Sequence, residues 1–138
     1  MSNDGLKSNR LPSAAITELL KVADWLQSEK AKFQNVDDVN ICNNREGLTK
    51  ATSNLISQFA TKVIRASSEN RVTAIHFTKS AVVPVEQDWA VYFIPVHIVE
   101  GPVMVGDQKL DKGDYCHLEE NVEISGDFYA VLLLSRRG

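Results

Sequence analysis

The sequence has few cysteines, and they are not arranged as metal ligands. Cys42 and Cys116 are the only two in 138 residues, and no C-x-x-C occurs. A structural zinc site takes about four Cys or His ligands in paired spacings, so none is predicted. Because the start of the chain lacks the apolar stretch of an export signal, we expect reduced, unpaired thiols in a cytoplasmic protein.

Basic residues are not in excess, and long apolar runs are absent. Fifteen Lys and Arg against 18 Asp and Glu give a formal net charge of −3. A general nucleic-acid binder needs a basic surface that displaces phosphate counterions, so no nucleic-acid partner is expected. No stretch approaches the roughly 18 apolar residues of a membrane-spanning helix, so no membrane partner is expected either.

Motifs of the common catalytic and nucleotide-binding sites are also absent. The sequence contains no G-x-S-x-G, no P-loop and no G-x-G-x-x-G. Cys116 and His117 are neighbours in a predicted strand, where adjacent side chains point to opposite faces, so adjacency alone does not make them a catalytic dyad. We therefore predict no catalytic residue and no cofactor, and we favour a protein that is not an enzyme.

The first part of the single predicted domain, 1–138, is helical. Residues 1–10 are polar and are expected to form a disordered tail, followed by a helical segment over 11–68. After Pro12, an apolar stripe predicts the first helix: Ile16, Leu19, Leu20, Ala23 and Leu26. A wider stripe predicts the second helix: Leu48, Ala51, Leu55, Phe59 and Val63. The Asn- and Asp-rich stretch 34–44 between them, which includes Cys42, is predicted to be a loop.

The second part, residues 71–138, is rich in β-branched and aromatic residues. Turn signals at 100–102, 106–107, 112–114 and 125–127 separate short predicted strands: 72–78, 80–85, 89–99, 103–105, 114–118, 122–124 and 128–135. Residues 128–135 are apolar on both alternating faces and are expected at the centre of the sheet. Pro84 and Pro95 are expected at edges or bulges. The predicted class is α+β, two N-terminal helices followed by an antiparallel β-rich half.

Three Gly-containing turns carry a family resemblance. Glu100-Gly101, Gly106-Asp107 and Gly113-Asp114 punctuate residues 97–115, and this stretch resembles the middle of a cupin barrel. The resemblance implies a small cupin-like barrel or sandwich. Metal-binding cupins carry a His-x-His pair and a Glu before the first of these turns, whereas residues 85–94 contain Glu86 but no histidine. The resemblance therefore implies a fold without the family's standard metal site.

Histidines and tyrosines of the β-rich half are the candidate ligand-binding residues. Tyr92, His97, Tyr115 and His117 are predicted to line a pocket for a small apolar or planar ligand. Strict alternation would place His97 on the face of Trp89, Val91 and Phe93, and His117 on the face of Tyr115. In the alternative interpretation, His76, His97 and His117 converge on a metal ion with Glu86 or Glu123 as a further ligand.

The preferred hypothesis is a non-catalytic, metal-free, cupin-like module that binds a small molecule or a protein partner. A homodimer is expected, because the wide stripe of the second helix exceeds what one sheet face covers. The alternative is a cupin-type metalloenzyme with a non-standard His/Glu site. A third hypothesis, an accessory protein of a phage or mobile element, has only the shortness of the chain in its favour.

Overall fold

Two helices and one antiparallel sheet make up the computed structural model, which describes residues 8–36, 39–62, 70–85 and 88–136. The expected α+β class is confirmed. The helices are α1 (Ser13–Leu26) and α2 (Arg45–Lys62), with a 3-10 turn at Glu29–Ala31. The strands are β1 (Ser8–Arg10), β2 (Phe33–Val36), β3 (Val39–Cys42), β4 (Asn70–Phe77), β5 (Ala81–Val83), β6 (Trp89–Val105), β7 (Gln108–Leu110), β8 (Asp114–Leu118) and β9 (Val122–Arg136).

Helix α1 begins after Pro12, as expected, but its buried face differs from the predicted stripe. Pro12 is extended (φ −57°, ψ 148°) and caps the helix. The buried residues are Ala15, Leu19, Val22, Ala23 and Leu26. Leu20 is 60% exposed, so its assignment to the buried stripe is wrong. The predicted and the observed buried residues of α1 both follow a helical period. The helix is rotated about its axis relative to the prediction, so that the small side chain of Ala15 is buried.

Helix α2 buries Leu48, Leu55 and the polar Thr52. The Thr52 hydroxyl donates to the Leu48 carbonyl one turn earlier at 2.7 Å, which satisfies it without a partner from another element. The side chains of Phe59 and Val63, which complete the predicted stripe, lie outside those that the structure describes. Among the described helices, none is both long and apolar enough to cross a membrane.

Most of the described part of residues 34–44 does not form the predicted loop. Residues 34–36 and 39–42 lie in the antiparallel strands β2 and β3, in which Asn35 faces Asn40 and their side-chain amides are hydrogen-bonded at 3.2 Å. Cys42 ends β3, is buried, and its Sγ donates to the Ala31 carbonyl at 3.0 Å. The β2–β3 pair was missed because it contains Gln34, Asn35 and Asn40, and these residue types are uncommon in strands.

Part of the expected N-terminal tail is also ordered into the sheet. Ser8–Arg10 pair with β8 as strand β1, and the Arg10 guanidinium contacts Asp114 at 3.2 Å. Residues 1–7 lie outside the described part of the chain. The three polar side chains of β1 gave no apolar pattern, so a strand held by backbone pairing with β8 and by the Arg10–Asp114 contact was not recognised.

Two long strands, β6 and β9, form the axis of the sheet. The sheet order is β1-β8-β6-β9-β4-β3-β2, with β5 added to the start of β9 and β7 to the end of β6. Residues 128–135 are thus central, as predicted. The predicted breaks at 100–102 and 125–127 do not end strands, because β6 and β9 continue through them as a bent ladder. In the described part the sheet is open, since its outer strands β1 and β2 do not pair with each other.

Irregular pairing bends this axis. The register between β6 and β9 shifts between Pro95 and His97, between Ile98 and Glu100, and again before Met104. The bulge after Pro95 fits its expected place in the sheet. Beyond the bend, Val103 and Ile124 join one buried cluster with Phe93 from before it. The sheet is therefore folded onto one of its own faces, which becomes concave.

The two faces of the sheet form separate cores. The helix-side core packs Leu19, Leu26, Leu48 and Leu55 against alternate residues of β4, β6 and β9. The concave core contains the intervening residues, including Phe77, Phe93 and Phe128, whose ring centroids lie 5.1–5.9 Å apart.

Candidate functional site

Three of the four predicted ligand-binding residues lie together on the helix side. Tyr92 in β6 faces His117 in β8, with the rings stacked at 4.7 Å and nearly parallel. The Tyr115 ring lies 6.4 Å from that of Tyr92 and belongs to the helix-side core. His117 shares the face of Tyr115, as alternation predicted. The binding role of these residues stays a prediction.

Both phenols of this group are held in their protonated form. Burial raises the pKa of Tyr92, and the carboxylate of Glu119 raises it further. Burial raises the pKa of Tyr115 as well, followed by the influence of Tyr92. A phenol with a raised pKa is a hydrogen-bond donor at neutral pH and a poor general base. The group is thus suited to packing and hydrogen bonding.

His97, the fourth predicted residue, lies elsewhere on the same helix-side face. It is paired with Tyr129 in β9, at 6.0 Å between rings, and Tyr129 packs against the helix-side core. Its prediction onto the face of Val91 and Phe93 is therefore wrong. The physical reason is the register shift after Pro95, which reverses the face that the following residues occupy.

His76 occupies the other side of Tyr129. Its ring stacks on Tyr129 at 4.0 Å, and its Nε2 lies 3.0 Å from an Asp127 carboxylate oxygen. Phe33 from β2 packs edge-on against Tyr129 at 5.6 Å. This group has an imidazole and a carboxylate but no Ser or Cys within the contacts that define it. It matches no nucleophile–base pair.

The three histidines thus lie in two groups, His76 and His97 around Tyr129 and His117 beside Tyr92. Within residues 8–36, 39–62, 70–85 and 88–136, no three His, Cys, Asp or Glu side chains are placed to hold a metal ion. Glu123 is exposed and pairs with Val82 at the start of β9. Glu86, the other carboxylate of the metal hypothesis, lies outside the described residues.

The concave face carries a cavity of about 620 Å³, here called the trough. Its floor is formed by alternate residues of β3, β4 and β9, and β5 with its preceding turn forms one wall. The lining residues are Val36, Val39, Ile41, Thr73, Ile75, Phe77, Lys79, Ser80, Ala81, Val82, Val83, Pro84, Val91, Leu132 and Leu134.

The trough is apolar and open to solvent. Its polar lining side chains are Thr73, Lys79 and Ser80. Ile75 and Leu134 are only half-buried, although both lie on its floor. Two of the four large apolar side chains that are most exposed also line it, Val36 at 41% and Val82 at 60%. Apolar surface is therefore concentrated here without being covered.

A second cavity of about 950 Å³, here called the arginine groove, lies between α2 and the sheet. Its lining residues are Ile41, Cys42, Asn43, Arg45, Leu48, Thr49, Ile56, Arg71, Val72, Thr73, Leu133 and Leu134. The Arg71 guanidinium lies over the Trp89 ring, 5.1 Å from its centroid, in a cation–π contact. The groove thus combines two guanidinium groups with an apolar floor.

None of the four predicted ligand-binding residues lines either cavity. The signal for the trough was present in β4, where Thr73, Ile75 and Phe77 alternate with Val72 and Ala74. Both sets are largely apolar, as they also are in β9. An antiparallel strand with one solvated face is expected to alternate apolar with polar residues. A strand that is apolar on both faces must be covered on both, and one face here is covered incompletely.

The comparisons with known proteins give no family for the chain. No protein-family model matches the sequence, and no curated protein matches it. The functional argument therefore depends on the geometry of the two faces.

Proposed function

We propose that this protein is a non-catalytic binding module that holds an apolar small molecule in the trough. The observation that carries the proposal is the half-buried aliphatic floor, Ile41, Ile75 and Leu134, on a concave face. Each square ångström of apolar surface removed from water contributes about 25 cal/mol. An occupant that covered this floor would gain that free energy without displacing any part of the protein core.

The size and chemistry of the trough support a small-molecule occupant. Its volume of about 620 Å³ lies within the range of roughly 300–1,000 Å³ common to ligand pockets. No His, Asp, Glu or Cys is among the described residues that line it. The lining is predominantly aliphatic, which suits the holding of an apolar ligand, and the proposal is therefore one of binding.

The proposal includes the cupin-like character of residues 97–115. Gly101, Gly106 and Gly113 have positive φ, the conformation that the Gly-containing turns of the resemblance call for. The bent sheet with an apolar concave face is compatible with a barrel-like ligand site, although the described strands leave it open.

The proposal is tested with N-phenyl-1-naphthylamine, a neutral dye that fluoresces in apolar surroundings. We expect saturable binding to the wild-type protein. Ile75→Trp places an indole on the trough floor and is expected to weaken binding about tenfold or more, equivalent to about 1.4 kcal/mol. Val99→Trp is the matched control, because Val99 is 52% exposed and lies outside the trough. Circular dichroism and thermal melts verify the fold of both.

A second variant covers the case in which Ile75→Trp does not fold. Val82→Trp changes an exposed residue at the wall of the trough and is expected to weaken dye binding while leaving the melting temperature unchanged. Absence of saturable dye binding to the wild type would contradict the proposal. Equal losses in Val99→Trp and in the trough variants would contradict it too.

Light scattering distinguishes a second copy of the chain from a small-molecule occupant. A dimer that Val82→Glu dissociates would place the partner on the trough and overturn the proposal. The expected homodimer through α2 is separate. Phe59→Glu is expected to dissociate that homodimer and to leave dye binding intact.

A further inference from the structure

We infer that the ligand is a single-chain amphiphile with an anionic head group, whose tail lies in the trough and whose head is bound by Arg45 and Arg71. This inference rests on the proposed function and specifies its ligand class. Three sets of observations carry it: the lining residues that the two cavities share, the charge of the arginine groove, and the length of the apolar floor.

The two cavities are neighbours that share lining residues. Ile41, Thr73 and Leu134 line both of them. These residues belong to the neighbouring strands β3, β4 and β9. Strand β3 pairs with β4 only at Asn40–Ile41, opposite Ile75–His76, and then leaves the sheet towards α2. On that side, the part of β4 before Ile75 therefore has no described strand partner, and the residues shared by the two cavities lie beside this gap.

Charge is distributed unequally between the two cavities. The groove contains Arg45 and Arg71, and no Asp or Glu is among the described residues that line it. Within the described ranges, neither arginine takes part in an ion pair. The protein as a whole has a net charge of −3. Two guanidinium groups without a lining carboxylate are thus a local cationic centre in an acidic protein, and guanidinium binds carboxylate and phosphate through paired N–H donors.

Arg71 lies on the concave side of β4. It follows the alternation of Thr73 and Ile75 on the concave face, and its guanidinium lies over Trp89 at 5.1 Å. Stacking on an aromatic face leaves the N–H groups at the edge of the guanidinium plane able to donate to a ligand. Because the contact with Trp89 restrains the side chain, less conformational entropy is lost when an anion binds.

The apolar floor beyond Arg71 has the length of an alkyl chain. From Arg71 to Phe77, β4 spans six residue steps, or roughly 20 Å at the rise of an extended strand. Thr73, Ile75 and Phe77 line the trough along this run, with Leu132 and Leu134 beside them. An extended tail can therefore follow β4 while its head stays at the arginines. A compact apolar ligand would leave one of the two cavities unused.

The inference is tested by displacement of N-phenyl-1-naphthylamine with three ligands of equal chain length, kept below micelle formation. These are dodecanoate, methyl dodecanoate and dodecyl phosphate. We expect dodecanoate to bind about tenfold more tightly than the neutral ester, since a charged hydrogen bond contributes about 1.5 kcal/mol or more. Dodecyl phosphate distinguishes head groups: tight binding assigns a general anion site, and binding of dodecanoate alone assigns a carboxylate site.

Substitutions of the arginines locate the head group. Arg45→Gln and Arg71→Gln are each expected to weaken dodecanoate binding about three- to tenfold and to leave the methyl ester unchanged. Lys50→Gln is the matched control, because it removes a cation from α2 outside the groove. Arg45→Gln stands apart from the Trp89 contact and remains informative if Arg71→Gln perturbs the fold.

The outcomes separate this inference from the proposed function. If the dye binds but dodecanoate and its methyl ester have equal affinities, the assignment of an anionic head group is overturned and an apolar site remains. Equal losses in Lys50→Gln and in the two groove variants would overturn the assignment to Arg45 and Arg71. Failure of the dye itself to bind would overturn both proposals.

Discussion

The two faces of the sheet differ in how completely their apolar residues are covered. Ala74 and Ile75 are neighbours in β4, yet Ala74 is 0% exposed under the helices while the larger Ile75 is only half-buried in the trough. The same contrast holds in β9 between Leu133 and Leu134. Helices α1 and α2 close one face, whereas the bent sheet and β5 cover the other only in part.

This difference shows which face has apolar surface beyond the needs of the fold. An antiparallel sheet that leaves one face in water usually places polar residues there. Here the concave face continues the apolar pattern into its open region, where it gains little from burial. The buried residues of both cores should therefore dominate the free energy of unfolding, while the open trough floor of the concave face should tolerate change and govern ligand binding.

The largest expected effect compares one leucine from each face. Leu19→Ala removes a fully buried side chain beneath α1 and is expected to lower the free energy of unfolding by about 3 kcal/mol. Leu134→Ala truncates a half-buried side chain at the trough and is expected to cost about 1 kcal/mol, because less apolar area leaves a packed environment. Urea denaturation of both variants measures the difference.

Leu20→Ala is the control for this comparison. Leu20 is adjacent to Leu19 but 60% exposed, so its truncation tests helix propensity without core packing. Equal costs for Leu19→Ala and Leu134→Ala would show that the trough is as tightly packed as the helix-side core and would remove the distinction between the faces.

The next effect compares the two buried thiols at alkaline pH. Burial in the concave core raises the pKa of Cys116 from 9.0 to about 11. Burial also raises the pKa of Cys42 on the helix side, but a hydrogen bond at the Asn44 backbone opposes the shift. The folded protein therefore retains the Cys116 proton at a pH where the unfolded chain has lost it. The contribution of the protonated Cys116 thiol to the free energy of unfolding is fully present below about pH 9. It is lost as the pH rises to about 11.

Two pKa units correspond to a loss of about 2 to 3 kcal/mol across this interval. Denaturation curves from pH 8 to 11 measure it in the wild type, Cys116→Ala and Cys42→Ala. We expect Cys116→Ala to flatten the pH dependence more than Cys42→Ala, with a residual slope from Tyr92 and Tyr115, whose pKa values are also raised. An unchanged slope in Cys116→Ala would refute the assignment.

Local patterns predicted most of the secondary structure. Alternation and turn residues gave the strand regions between 72 and 135 except β7 (Gln108–Leu110), and the 3.6-residue period gave both helices. The β2–β3 hairpin was missed because Gln34, Asn35 and Asn40 place polar groups where alternation would show apolar ones. Strand β1 was missed because it pairs with the edge of the sheet. The residue types of Ser8–Arg10 do not themselves indicate pairing with β8.

The candidate site depended on features that local patterns do not contain. The face of His97 was mispredicted because the register shift after Pro95 reverses the faces of the side chains that follow it, up to the next shift after Ile98. The trough depends on the bend of β6 and β9, which brings residues separated by many positions onto one concave face. The head-group binding proposed for Arg71 depends on its contact with Trp89, two strands away. The same role of Arg45 depends on the position of α2.

The smallest expected difference concerns the bend that makes one face concave. Gly126 in β9 has φ +126°, and a Cβ there would lie 2.7 Å from the backbone oxygen of Pro102 in β6. Gly101 also has positive φ, +71°, but a Cβ there would meet nothing within 4 Å. Gly101→Ala is thus expected to cost only the backbone term of about 1 kcal/mol. Gly126→Ala is expected to cost about 1 kcal/mol more than Gly101→Ala, because β6 and β9 must also separate.

Dye binding extends this comparison from stability to the trough. Since Gly126→Ala pushes β9 from β6 at the bend, it should weaken N-phenyl-1-naphthylamine binding, whereas Gly101→Ala should leave the dye affinity unchanged. If both glycine variants unfold at the same urea concentration and bind dye equally, the close approach at Gly126 does not maintain the bend. The concave face would then depend on the aromatic packing of Phe77, Phe93 and Phe128 beneath it.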